Sequence, residues 1–198
     1  MDPQITTIVP VLKSYWLTIH VSVITASYGF LGLSALLGFI TLLLFIVRNP
    51  KKEDEKQRQI TISILEATRI NEMSIIIGLS LITVGNFLGG AWANESWGRY
   101  WGWDPKETWA LVTILVYTFI VHTRLVPWLR STYLFAVLSV VGFSSVLMTY
   151  FGVNYYLSGL HSYAAGDPIP VPTWVYWAVA VVVIVIAAAY RNRKIQTI

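Results

Sequence analysis

Residues 97 to 126 read W-G-R-Y-W-G-W-D-P-K-E-T-W-A-L-V-T-I-L-V-Y-T-F-I-V-H-T-R-L-V, an aromatic stretch that runs straight into an apolar one. The junction carries its own signal. Asp104, Pro105 and Glu107 match a capping box with proline at the first helical position. A helix is therefore expected from Pro105, with the preceding loop ending rigidly at Asp104. The apolar run of residues 107–126 has the length, about 20 residues, that crosses a bilayer.

Outward from this junction, further runs of that kind lie at 15–47, 73–93, 132–152 and 174–190. Five spans predict an all-α polytopic membrane bundle forming one domain over residues 1–198, with the termini on opposite sides. Composition agrees, with 56% hydrophobic and 12% charged residues and a mean hydropathy of +0.62. The net charge of +4 does not point to nucleic acid, because the basic residues stand at the ends of apolar runs. All Lys and Arg except Lys13, Arg99 and Lys106 fall on one side of this layout. By the positive-inside rule that side is cytoplasmic, so the N-terminus, the Trp-rich segment and the loop 153–173 face out and the C-terminus faces in. The start, M-D-P-Q-I-T-T, lacks the basic stretch of a cleavable signal. Residues 48–58 read as a polar hinge, and 59–70 as a short helix lying on the inner membrane face, separate from the second span. Ser131 or Thr132 is expected to cap the fourth span and Gly152 to end it.

Five of the nine tryptophans, Trp92, Trp97, Trp101, Trp103 and Trp109, fall within eighteen residues. An interfacial belt would scatter them over many segments. Clustered on a segment loosened by Gly98 and Gly102, their flat faces and N–H groups form a surface for a flat, largely apolar ligand. Asp104 and Glu107 read as structural caps ahead of acid/base groups. Arg99 and Lys106 are candidates to meet acidic groups of that ligand. In the second span Gly85 and Gly89 form a small-xxx-small pair, permitting close helix packing or close ligand approach.

There are three histidines and no cysteine, so the chain has no thiolate ligand or thiol nucleophile. His20 is expected at or just above the outer surface, about 40 Å along its helix from Val47. His161 lies in the loop 153–173, on the same face. His122 stands seventeen residues past Pro105, about 26 Å deeper along that helix, near the other face. An ionisable residue inside a span is a functional candidate, since burial disfavours it unless it is paired or ligated. Two neutral imidazoles suit the opposite axial positions of a haem iron beside an aromatic shelf. Zinc would need further ligands that the loops do not offer.

The string W-G-R-Y-W-G-W-D-P-K-E-T-W-A-L-V-T, with G-G-A-W-A before it, V-H-T-R after it, the early K-S-Y-W-L-T-I-H-V and the late G-L-H-S-Y-A, resembles the CcsA/ResC proteins of cytochrome c biogenesis, within the haem-handling superfamily that includes CcmC. The resemblance implies that residues 92–109 are a haem-binding WWD segment, with Trp92, Trp97, Gly98, Arg99, Trp101, Gly102, Trp103, Asp104 and Trp109 contributing. It implies that His20 and His161 are external axial ligands of haem b and that His122 is a transmembrane haem ligand. It further implies a CcsB/ResB-type membrane partner supplying the second ligand at His122. The bound haem would be presented for thioether attachment to the C-x-x-C-H motif of apocytochrome c, in a bacterial cytoplasmic or thylakoid membrane. Delivery of haem without lyase activity, and a haem b electron-transfer subunit, are the alternatives. Such proteins are commonly longer, so the chain is expected to correspond to their C-terminal core.

Overall fold

The structure is a computed structural model that describes residues 14–52, 54–157, 159 and 170–195. Helix α1 (Tyr15–Val47) is an unbroken 33-residue rod that stops where Asn49 and Pro50 bar further helix. Helix α2 (Glu55–Trp97) runs 43 residues, from Asp54, whose side chain accepts from Gln57 N at 2.8 Å, to a left-handed Gly98. Helix α3 (Pro105–His122) and helix α4 (Thr132–Leu147) follow. α4 continues through a π turn, Met148–Gly152, into a last turn, α5 (Val153–Tyr156), and α6 (Thr173–Tyr190) closes the chain.

α1, α2, the continuous segment Thr132–Tyr156 and α6 are long and apolar enough to cross a membrane. α3 is shorter in apolar length because Lys106 and Glu107 occupy its first turn. The expected separation of an interfacial helix, 59–70, from a second span is wrong. α2 is one rod of about 64 Å, because nothing between Glu55 and Ile77 breaks a helix. Its first half also has something to pack on, since Ile64 joins Leu42, Phe45 and Ala136 in one core cluster. Gly152 likewise does not end α4; it sits inside the π turn with the Met148 thioether pressed on its Cα. Ser131 is the N-cap of α4, accepting from Leu134 N.

Neighbouring helices alternate in direction. His20 lies beside Gly89 and Leu31 beside Gly78, so α1 and α2 are antiparallel. Gly38 meets Ala136, and Tyr28 meets Tyr150, so α4 also opposes α1. Tyr133 Oη donates to Ile186 O at 2.9 Å, which makes α6 antiparallel to α4. Residues 14 and 195 therefore lie at opposite ends of the bundle, as the span count predicts.

In lipid, apolar burial does not drive helices together, so contact rests on close packing through small residues and on polar bonds. Both occur here. A Cβ at Gly78 would lie 2.6 Å from Leu31 Cδ2, and one at Gly142 2.7 Å from Ile120 Cδ1. Asn71 Nδ2 donates to Ser139 Oγ at 2.9 Å across the fully buried α2–α4 contact. Among the described residues the core contacts of α6 lie in its C-terminal half, at Val185, Ile186 and Ala189. Trp174, Trp177 and Ile184 remain about two-thirds exposed, a face suited to lipid.

Candidate functional site

The Trp-rich residues are not all on a loop. Trp92 and Trp97 belong to the last turns of α2 and Trp109 to α3, leaving Gly98–Asp104 as the non-helical connection. The capping box forms: Asp104 Oδ1 accepts from Lys106 N at 2.9 Å, and the Glu107 carboxylate reaches back to Asp104 N at 3.2 Å. The same oxygen of Glu107 also accepts from Gly102 N at 2.8 Å. Between those two amides sits Trp103, at φ 56 the one non-glycine residue of positive φ among the described residues. A bulky residue held left-handed costs about 1–2 kcal/mol, and one carboxylate bonded on both sides holds it there. The indole of Trp103 is turned outward, 71% exposed, with the Trp101 ring edge-on at 5.7 Å. Gly98 supplies the other positive φ, whereas Gly102 serves by making room, since a Cβ there would lie 2.7 Å from the Arg99 guanidinium carbon.

His20 is half-buried against α2. A Cβ at Gly89 would stand 2.7 Å from its Cε1 and 2.9 Å from its Nδ1, so the absence of a side chain at Gly89 is what admits the ring. Nδ1 lies 2.7 Å from Gly85 O. A carbonyl only accepts, so Nδ1 carries the proton and the ring lone pair is on Nε2, the tautomer and anchoring that metal-ligating histidines adopt. Gly85 and Gly89 thus serve both of the roles open to them: Gly85 also packs on Ile24, and Gly89 cradles the imidazole. The Trp92 ring lies nearly parallel to that of His20, at 7° with centroids 6.5 Å apart, and meets Trp97 edge-on at 4.8 Å.

A cleft of about 180 Å³ opens from His20 between α1, α2, α3 and α4. Gly89, Gly90, Trp92, Tyr100, Trp101, Lys106 and Glu107 line it on one side, and Tyr28, Thr149 and Tyr150 on the other. Sequence reasoning did not single out Tyr28, Thr149 and Tyr150. The π turn brings the last two here, and Thr149 Oγ1 lies 3.0 Å from Thr113 Oγ1 and donates to Trp109 O at 3.1 Å. Lys106 Nζ donates to Asn154 Oδ1 at 3.1 Å, fastening α3 to α5. Sites for sizeable organic ligands usually measure about 300–1,000 Å³. At this size the cleft has room for only part of a large flat ligand; Tyr100, on its lining, and Trp103, in the same connection, stand exposed. An imidazole lone pair, several aromatic faces and one ammonium are a donor set that fits haem.

Of the other two histidines, His161 lies outside the described residues. Gly159, two positions earlier, rests on the α3 cap: a Cβ there would run into the Asp104 carboxylate and come within 2.8 Å of Pro105 Cδ. His122 is the last residue of α3, at the other end of the bundle. It is not a buried ionisable group, as its place in a span suggested. Its side chain is exposed, with Nδ1 2.7 Å from Thr118 O of its own helix, on the outward face that also carries Leu115 and Phe119. Nearby Arg124 is not simply extended toward a membrane surface; it pairs with Glu72 at 3.2 Å and lies over the Phe135 ring.

The fold is that of a polytopic membrane bundle, with an aromatic, imidazole-bearing cleft at one end. The model of the family described as cytochrome c assembly protein matches residues 1–161. The chain is 59% identical over 170 residues to protein NrfI of Wolinella succinogenes, covering 86% of this chain and 18% of that protein. It is 42% identical over 160 residues to the cytochrome c biogenesis protein CcsA of Chlamydomonas reinhardtii (81% of this chain, 44% of the relative) and 38% identical over 180 residues to that of Prochlorococcus marinus (79% and 57%). The chain belongs to the cytochrome c assembly protein family, and it spans between 18% and 57% of the length of these relatives.

Proposed function

We propose that this chain binds haem b in the cleft beside His20 and presents it for covalent attachment to apocytochrome c. The observation that carries the reading is the placement of His20 on the lining of the cleft, its ring seated in the Gly89 cradle with Nδ1–H bonded to Gly85 O and the Trp92 ring alongside. His161 is proposed as the second axial ligand. The contact of Gly159 with Asp104 supports this, because the chain passes the Trp-rich segment two residues before that histidine. Residues 92–109 serve as the haem-binding WWD segment. In this reading Trp92 and Trp101, on the cleft lining, and Trp97, edge-on to Trp92, face the haem with Trp109 behind them, Trp103 and Tyr100 offer faces to the part of the macrocycle outside the cleft, and Lys106 and Arg99 are the candidates to meet its carboxylates. Haem supplies the vinyl groups that the thiols of a C-x-x-C-H substrate add to. This cysteine-free chain orients and holds the haem, with the thiols left to the substrate.

His122, exposed at the far end of α3, is proposed as half of a second haem site completed by a CcsB/ResB-type membrane subunit. The orientation follows the charge pattern, with the His20 end extracytoplasmic and the His122 end cytoplasmic. The test is reconstitution: the chain with its partner subunit, reduced haem and an apocytochrome peptide bearing C-x-x-C-H, reading haem bound covalently to the peptide. Product is expected with the wild-type chain and a loss of at least tenfold with His20→Ala. Equal product with and without the chain would reject a role in attachment, and haem transfer to the peptide without covalent product would reduce the role to delivery.

A further inference from the structure

At the end of the bundle opposite the Trp-rich segment, the termini of α1 and α6 enclose a pocket of about 300 Å³. It is lined by Arg48, Pro50, Arg191, Asn192, Arg193 and Lys194, four cations and no carboxylate among the described residues. Arg48 is built in. The residue is 8% exposed, its Nη1 donates to the carbonyls of Asn192 (3.1 Å) and Lys194 (2.7 Å), and its Nε donates to Thr61 Oγ1 (3.2 Å). All three acceptors are neutral. Asn192 Nδ2 donates in return to Phe45 O at 3.1 Å, so α1 and α6 are tied from both directions and the walls are fixed. Arg193 Nη1 donates to Tyr190 O at 3.2 Å, with its guanidinium 3.5 Å from the Tyr190 ring centroid. The ion pairs among the described residues, Arg58–Glu55 and Arg124–Glu72, involve none of these cations.

A buried guanidinium with only neutral acceptors is costly, and further cations around the same space repel it and one another. The carbonyls at the end of α6 offset part of that charge and do not cancel four cations. Guanidinium and ammonium groups borne by residues that line one space suit the oxygens of a phosphate group. We propose that this pocket binds a phosphate-bearing anion, either the headgroup of an anionic phospholipid or a free phosphate compound, clamping α6 to α1.

The full chain, purified and delipidated in a neutral detergent, is titrated with phosphatidylglycerol, with phosphatidylcholine and with inorganic phosphate, reading retained lipid and the thermal unfolding midpoint. Preference for phosphatidylglycerol is expected to fall on the order of a hundredfold in Arg191→Gln/Arg193→Gln/Lys194→Gln, at about fivefold for each cation removed. The matched variant Lys51→Gln/Lys52→Gln/Lys56→Gln, outside the pocket, keeps the preference. Should the triple pocket variant not fold, Arg191→Gln alone carries the test at about fivefold. A midpoint raised by inorganic phosphate in the wild type and not in the pocket variant identifies a free phosphate compound; a response to phosphatidylglycerol alone identifies a lipid headgroup. Equal retention of the two lipids with no phosphate response overturns the proposal, and so does an equal loss in both triple variants.

Discussion

Replacing Glu107 with alanine removes the one oxygen that accepts from both Gly102 N and Asp104 N, at 2.8 and 3.2 Å. Hydrogen bonds to a charged group contribute about 1.5–3 kcal/mol each. These two share an oxygen and one is long, and water partly replaces the lost acceptor, so a net loss of about 2 kcal/mol is expected. The left-handed Trp103 between them carries a local strain of about 1–2 kcal/mol in wild type and variant alike, so it leaves this difference unchanged. Local opening of the connection between α2 and α3 then becomes about 30-fold more frequent. Amide hydrogen exchange, followed by mass spectrometry on peptides covering residues 98–108, reads this directly as faster exchange at Gly102 and Asp104. Glu107→Gln keeps an acceptor of about half the strength, so its effect is about fivefold. Exchange in Glu107→Ala within a factor of about two of wild type, with α3 still helical, would refute the clamp.

Gly89→Ala puts a methyl group against the His20 ring and is expected to lower the haem-to-protein ratio in the same sense as His20→Ala; a wild-type ratio in purified Gly89→Ala would separate the cradle from haem binding. Gly78→Ala overpacks against Leu31 Cδ2 and should destabilise the bundle by about 1–3 kcal/mol in thermal unfolding, with a loss in Gly78→Ala/Leu31→Ala smaller than the sum of the two single losses. Additive losses would mean the clash lies elsewhere. Tyr117 Oη is fully buried with no hydrogen-bond partner among the described residues, so Tyr117→Phe should be neutral or stabilising by up to about 1 kcal/mol. A loss of more than that in the same unfolding assay would reveal a partner for the hydroxyl.

Local signals were the most legible. The reach of α1, the capping box at Asp104, the start of α6 and the opposed termini all follow from apolar run length and helix-end chemistry. The continuity of α2 was obscured because residues 55–71 are polar; polarity suggests a surface helix, while the absence of a breaker, together with the packing of Ile64 on Leu42 and Phe45, decides for a single rod. At the site, the clustering of tryptophans was visible in sequence. What Gly89 does for His20 was not, because it depends on the register between α1 and α2, which no local pattern encodes. Glu107 was legible as a cap, but its second bond, to Gly102 N, and the left-handed Trp103 between its two partners depend on a loop conformation that helix-cap rules do not reach. Met148–Gly152 was hidden for a similar reason. A π turn has no composition of its own, and it carries Thr149 and Tyr150 into the cleft.

The central claim is that His20 and His161 hold haem iron from opposite sides beside the Trp-rich segment. Low-temperature electron paramagnetic resonance and reduced-minus-oxidised absorbance of the purified chain with its partner subunit test it most directly. Wild type should give a low-spin bis-imidazole signal. His20→Ala and His161→Ala should each convert the external-site share of that signal to high spin or lose it, leaving the share from the His122 site, with low-spin character restored to His20→Gly by added imidazole. A low-spin signal of undiminished intensity in the His20→Ala/His161→Ala double variant would contradict the account.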